Sequence, residues 1–206
     1  IDPAKVKEHF YDILKDIISN RKLIFELAKN DFKQKFAGSY LGVIWAFVQP
    51  VVTVFVYWFV FAKALPTGGG AMRNGIEYPF VIFLLSGLVP WFYFSEVISA
   101  GTSSLIEYNY LVKKVVFKVS ILPMIKEISS LFVHLVFIVF TLVFCACYGI
   151  FPSVYTLQLV YYFFCTFVLS LSIIYATSAI AVFFRDICQV VTIILQVLVW
   201  MTPIMW

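Results

Sequence analysis

Glu96 is the one carboxylate well inside an apolar run. A charged group at such depth costs about 2.5–3.5 kcal/mol on insertion scales, so it is expected to face protein or water. Two roles fit it: an intramembrane acid with a function, or a side chain low enough in its span to reach the interface among Ser95, Ser99 and Thr102. His134, in another apolar run, reads either as a proton relay or as a hydrogen-bonded packing residue. Gln189, Thr192, Gln196, Trp200 and Pro203 recur at helical spacing and share one face. Amides on such a face either join helices or line a wet path for hydroxyl-rich cargo. Phe47, Phe55 and Trp58 share a face of another run. Aromatic faces stack on sugar rings, so these three are candidates for the wall of a glycan path; the aromatic belt at the membrane surface is their other use.

Catalytic machinery has little to stand on. Gly68-Gly69-Gly70 is followed by Ala71-Met72, so the chain carries no phosphate-binding G-x-x-x-x-G-K-[ST] loop and is not expected to hydrolyse nucleotide itself. No H-E-x-x-H and no Ser/His/Asp constellation appears, and His9 and His134 are far apart in environment. Cys145, Cys147, Cys165 and Cys188 match neither zinc nor disulfide spacing and read as small buried hydrophobes. The expectation is therefore no catalytic residue, no metal and no cofactor on this chain. A membrane-embedded enzyme acting on polyprenyl-linked sugars is the main competing class, but it needs an acidic cluster, which the scattered Glu77, Glu107 and Glu127 do not make. A structural or channel-like subunit is the remaining class, supported only by the lack of sites.

The elements that hold these residues follow from composition. The 206 residues are 63% hydrophobic and 19% aromatic, and only 13% are charged, against about 25% in a soluble domain. Lipid is the solvent for most of the chain. A span needs about 20 predominantly apolar residues, and five runs qualify, near 41–64, 80–103, 128–150, 157–184 and 187–206. The fold class is all-α and polytopic. Within residues 1–40, Val6, Phe10, Ile13, Leu14, Ile17 and Ile18, then Leu23, Ile24, Leu27 and Phe32, mark one amphipathic helix or a pair, whose lysines suit the headgroup layer or a partner subunit. No short apolar stretch with a cleavage site opens the chain, so the first span is expected to direct insertion.

Eight basic residues precede the first span, four lie between spans two and three and one follows span four, against two in the remaining loops. The positive-inside rule then predicts a cytoplasmic N-terminus, a cytoplasmic 105–126 connector, and external loops at 65–79 and 151–156. The net charge of +4 is dispersed among acids and predicts no nucleic-acid partner. Within the connector, Leu111, Val112, Val115, Val116 and Phe117 alternate with Lys113, Lys114 and Lys118, more apolar surface than a solvated loop needs. A short amphipathic helix in the cleft of a soluble partner accounts for that pattern, as does one resting on the bilayer.

Four separated blocks carry a resemblance. Asp31-Phe-Lys-Gln-Lys-Phe-Ala-Gly-Ser-Tyr-Leu-Gly-Val-Ile-Trp45 with Gln49-Pro50, Ser86-Gly-Leu-Val-Pro-Trp91, Asn109-Tyr-Leu-Val-Lys-Lys114, and Phe184-Arg-Asp-Ile-Cys-Gln189 with Thr202-Pro-Ile-Met-Trp206 stand in order along nearly the whole chain. Together they resemble the membrane permease of ABC-type polysaccharide exporters, which move lipid-linked O-antigen, capsule or teichoic acid chains across the bacterial inner membrane. The resemblance implies a homodimer of permeases bound to two copies of a cytoplasmic ATPase, with ATP and magnesium held on that partner. It implies a coupling helix near 109–123, with Leu111, Val112, Lys113, Lys114 and Phe117 as the ATPase contact. Family members more often read Phe-Pro where this chain has Phe117-Lys118, which leaves the exact boundary of that helix open. Six spans are expected in a complete chain, against the five visible here. The glycan path is expected along Phe47, Phe55, Trp58, Gln189, Gln196 and Trp200, and the substrate is left open among the three polysaccharide classes.

Overall fold

The computed structural model describes residues 11, 15–61, 71–73, 76–108 and 119–204. Among them the regular secondary structure is helical apart from one two-stranded ribbon. Helix α1 covers Arg21–Lys35, after a helical turn at 15–19. A 3-10 turn at Gly42–Ile44 leads into α2, Trp45–Phe59. The ribbon pairs β1, Ala71–Arg73, antiparallel with β2, Ile76–Tyr78, in the register Ala71↔Tyr78, Met72↔Glu77 and Arg73↔Ile76. Then come α3, Phe80–Glu107, α4, Leu122–Cys147, α5, Gln158–Phe183, and α6, Ile187–Met201.

Four of these segments are long and apolar enough to cross a membrane: Gly42–Phe59, Phe80–Glu107, Val119–Cys147 and Val154–Phe183. The all-α polytopic expectation holds, with the ribbon as its one addition. The fifth apolar run forms a shorter helix, Ile187–Met201, of 15 residues. At 1.5 Å per residue it is about 22 Å long, against a hydrocarbon core of about 30 Å.

Two helix ends differ from the hydropathy limits for reasons visible in the sequence. The third run begins as a helix at Leu122 instead of residue 128, since Pro123 in the first turn loses no intrahelical hydrogen bond. Lys126 and Glu127 are thereby inside the helix, which a hydropathy boundary excludes. The second run continues to Glu107, where the Ser103 hydroxyl donates to the Glu107 carboxylate one turn on. Two prolines, Pro50 in α2 and Pro90 in α3, sit inside helices. Each lacks the N–H that the carbonyl four residues earlier expects.

Contacts divide the chain into two compact units. The first is Ile1–Lys35, Glu96–Ser130 and Phe167–Thr192. Its described interior holds Ile24 and Ala28 of α1, Val97 and Ile98 of α3, Leu122 and Ile125 of α4, and Ile174 of α5. Here α3 and α5 touch closely: a Cβ on Gly101 would stand 2.6 Å from Cγ2 of Ile174, and the hydroxyls of Thr102 and Thr177 are 2.8 Å apart. Small residues at a helix crossing let backbones approach where lipid supplies no hydrophobic drive to association.

The second unit is Phe36–Ser95, Leu131–Thr166 and Ile193–Trp206. Leu84 and Leu88 form one buried cluster, packed by Val54, Tyr57, Trp58, Phe92 and Val199 among others. Leu85, Val89 and Phe137 form another, packed by Phe47, Val133 and Ile138.

Candidate functional site

The densest polar constellation lies in the first unit, where three helices meet. Asp31 comes from α1, Glu107 and Tyr108 from the end of α3, and Lys126 from the second turn of α4. The Lys126 ammonium donates to the Asp31 carboxylate at 2.7 Å and lies 2.7 Å from that of Glu107. Tyr108 donates its hydroxyl to the same Asp31 oxygen and sets its ring beneath the Lys126 ammonium, 5.0 Å from ammonium to centroid. Side chains of Lys126 and Asp31 are only 11% and 13% exposed, whereas Glu107 is about half exposed. Burial by itself raises the Asp31 carboxyl. Hydrogen bonds from Lys126 and Tyr108, the Lys126 charge and a hydrogen bond from Ser129 outweigh it and hold the group below the ordinary carboxylate value.

This arrangement has a mechanical consequence. Glu107 and Tyr108 immediately precede residues 109–118, and Lys126 follows them by two turns of 3-10 and α-helix. One ammonium therefore joins both stems of that stretch to α1. The C-terminal stem is further held by Tyr175 of α5, whose hydroxyl donates to the Ser120 carbonyl at 2.6 Å, and by a long contact of 3.4 Å from the Ser120 hydroxyl to Asp16. Next to Lys126, Glu127 is fully buried and accepts the Ser170 hydroxyl at 2.7 Å.

The sequence-derived candidates fall in several places. Leu111, Val112, Lys113, Lys114 and Phe117 lie outside the described residues. Glu96 is half-exposed and accepts the ammonium of Lys35 from α1, so its charge has a partner on the same helix that supplies Asp31. Phe47 is packed, its ring 5.6 Å from that of Phe137. Trp58 packs on Leu84 and Leu88, and Phe55 stands 5.9 Å from it while remaining 60% exposed. Trp200, also mostly exposed, meets Tyr57 edge-on at 6.1 Å. Gln189 and Gln196 are both exposed on α6, whereas Val191 and Leu195 are that helix's buried residues.

The structure thus brings Phe55 to Trp58 and Tyr57 to Trp200, and gives Phe47 a packing role. His134 is buried and ring-stacked, 4.5 Å from Tyr93 and 5.5 Å from Phe163. Among the described residues no group of three His, Cys, Asp or Glu is placed to hold a metal ion. Sequence reading missed the Asp31, Glu107, Tyr108 and Lys126 node altogether. Its one available signal was the Lys126-Glu127 pair one turn inside a run of otherwise apolar residues after Pro123.

Residues 22–206 match the family described as ABC-2 type transporter. An O-antigen export system permease protein from Myxococcus xanthus is 29% identical over 203 residues, 94% of this chain and 72% of that protein. Two O-antigen export system permease proteins from Klebsiella pneumoniae are 28% and 26% identical over 188 residues, each comparison covering 89% of this chain and 68% of the relative.

Proposed function

This chain belongs to the ABC-2 type transporter family, and from that premise we propose that it is the permease of an ATP-driven exporter that carries lipid-linked O-antigen polysaccharide across the bacterial inner membrane. The observation that carries the reading is the likeness to O-antigen export permeases over about nine-tenths of the chain. In this reading two copies of the permease bind two copies of a separate cytoplasmic ATPase, which holds ATP and magnesium. The excess of basic residues before α2 and between α3 and α4 supports a cytoplasmic N-terminus.

Residues 109–118, with Leu111, Val112, Lys113, Lys114 and Phe117, seat in the ATPase. The Lys126 node supports this assignment physically, because displacement of either stem draws on α1 through a largely buried ion pair. A ligand or partner shifts a conformational equilibrium only through contacts that differ between states. Breaking and remaking the node between the nucleotide-bound and nucleotide-free states would supply such a difference. The exposed amides of Gln189 and Gln196 are costly against lipid tails, so that face of α6, with Trp200 on it, turns to the second copy or to the glycan. Phe55 and Trp58 extend the aromatic lining of the path.

Reconstitution tests the reading. Permease and its ATPase co-purify and, in proteoliposomes loaded with lipid-linked O-antigen, ATP brings the glycan to the opposite leaflet. Movement of capsule or teichoic acid chains instead would reassign the substrate. Movement by the permease alone, without ATPase or nucleotide, would sink the proposal.

A further inference from the structure

A cavity of about 160 Å³ lies in the second unit between α3, α4 and α5. It exists because short side chains at Ser86, Pro90, Thr141 and Thr166 leave uncovered a volume that their large neighbours do not fill. One wall is aromatic. Tyr93, His134 and Phe163 lie with ring centroids 4.5, 5.5 and 5.9 Å apart, and the two contacts of His134 are stacked. Tyr162, 62% exposed, stands at the rim with Leu159, so the space reaches the outer surface of the helices.

The lining is mostly apolar, and its buried polar atom without a hydrogen-bond partner, Nδ1 of His134, is by itself too few to hold a water. Ser86 donates its hydroxyl to the Phe83 carbonyl at 2.7 Å, Thr141 to Phe137 at 2.8 Å and Thr166 to Tyr162 at 2.9 Å. Each hydroxyl proton is committed to its own helix. A buried water needs two to four polar partners, and an apolar cavity of about 150 Å³ stays dry and takes up small hydrocarbons. The three lining segments all belong to helices long and apolar enough to span a bilayer. Hydrocarbon is the solvent in which they stand.

We propose that this cavity is a binding site for a short segment of one hydrocarbon chain of a membrane lipid, seated against the Tyr93, His134 and Phe163 rings and entering past Tyr162. The site depends only on the membrane-spanning character of α3, α4 and α5, and it stands or falls independently of the export reading. Chains of two sources share the required chemistry, phospholipid acyl chains and polyprenyl chains.

The test is photolabelling of the full chain in phosphatidylethanolamine nanodiscs. One arm carries phosphatidylethanolamine with a diazirine in its acyl chain, the other a polyprenyl phosphate with a diazirine in its chain. Label concentrated in peptides holding residues 85–93, 134–142 and 159–166 is expected, and the arm that gives it identifies the source. Leu142→Trp, which fills the cavity, removes that labelling and leaves the exposed Ile193 and Val197 surface of α6 labelled as before. In the unsubstituted protein, cavity labelling saturates as the probe fraction rises, whereas labelling of α6 rises in proportion. Label spread evenly over exposed surfaces, or cavity labelling that never saturates, would overturn the proposal even if Leu142→Trp does not fold.

Discussion

The Lys126 ammonium and the Asp31 carboxylate, 95 positions apart in the chain, meet at 2.7 Å with less than a seventh of either side chain exposed. A pair so far out of water is costly to break from one side, about 3–5 kcal/mol, because the abandoned charge stays buried. Lys126→Met leaves Asp31 facing Glu107 with no cation between them and is expected to destabilise the first unit by that amount. Asp31→Asn is milder, since the amide still accepts from Lys126 and Tyr108 and Lys126 retains Glu107. Thermal midpoints of the detergent-solubilised protein check the order, and equal losses from the two substitutions would contradict it.

The same node sets an acid sensitivity. Asp31 titrates in the folded protein below its ordinary value of 3.8, so its ionised form stabilises the fold. That contribution is complete above the unfolded value and is lost as pH falls through the lowered folded one. Stability is expected to drop on acidification from about pH 5 downwards, with a shallower drop in Asp31→Asn. Melting of both proteins across a series of acid buffers measures this. Parallel curves would show that other carboxylates carry the acid response.

Gly101 has no room for a side chain. An added Cβ meets not the end of Ile174 but its branch, 2.6 Å from Cγ2 and 2.8 Å from Cβ. Gly101→Ala is expected to cost about 1–3 kcal/mol through overpacking, and Ile174→Ala in the same chain to recover part of it. At Gly87 the nearest atom is Cγ2 of Ile204, 2.9 Å away, so Gly87→Ala is expected to cost less. Comparative thermal unfolding of the three variants decides whether the α3 and α5 contact is as tight as described.

For the proposed coupling segment, Lys113→Glu with Lys114→Glu reverses two charges while Asp31, Glu107, Tyr108 and Lys126 keep their identities. The expected result is an intact permease that no longer stimulates ATP hydrolysis in the assembled complex. Hydrolysis rates with and without permease measure it, and unchanged stimulation would remove this stretch from the ATPase contact.

Removing the amide face of α6 offers a separate test of its environment. Gln189→Leu with Gln196→Leu makes that face wholly apolar, which lipid tolerates and a wet path or an amide-joined interface does not. On the proposed function, reduced export or a weakened dimer is expected, read by glycan transfer and by cross-linking of copies. Full activity of the dimeric variant would place the face against lipid.

The membrane-crossing runs were legible from residue types alone because hydropathy is local: about 20 neighbouring apolar residues suffice to hold a span in lipid, whatever the rest of the chain does. Phe80 and Gln158 open helices close to where composition put them. Helix α4 started earlier than hydropathy allowed, since Lys126 and Glu127 look unfavourable until Asp31, Glu107 and Ser170 are brought beside them. The pairing of Asp31 with Lys126 has no local signature, as no periodicity links positions 95 apart. Likewise Phe47 reads as a free aromatic in the sequence, and only the approach of Phe137 makes it a packed one. Segment types were thus decided by each stretch's own transfer energy. Which charges are answered, and which short side chains leave a cavity, was decided by helices arriving from distant parts of the chain, where one residue's burial depends on another's geometry.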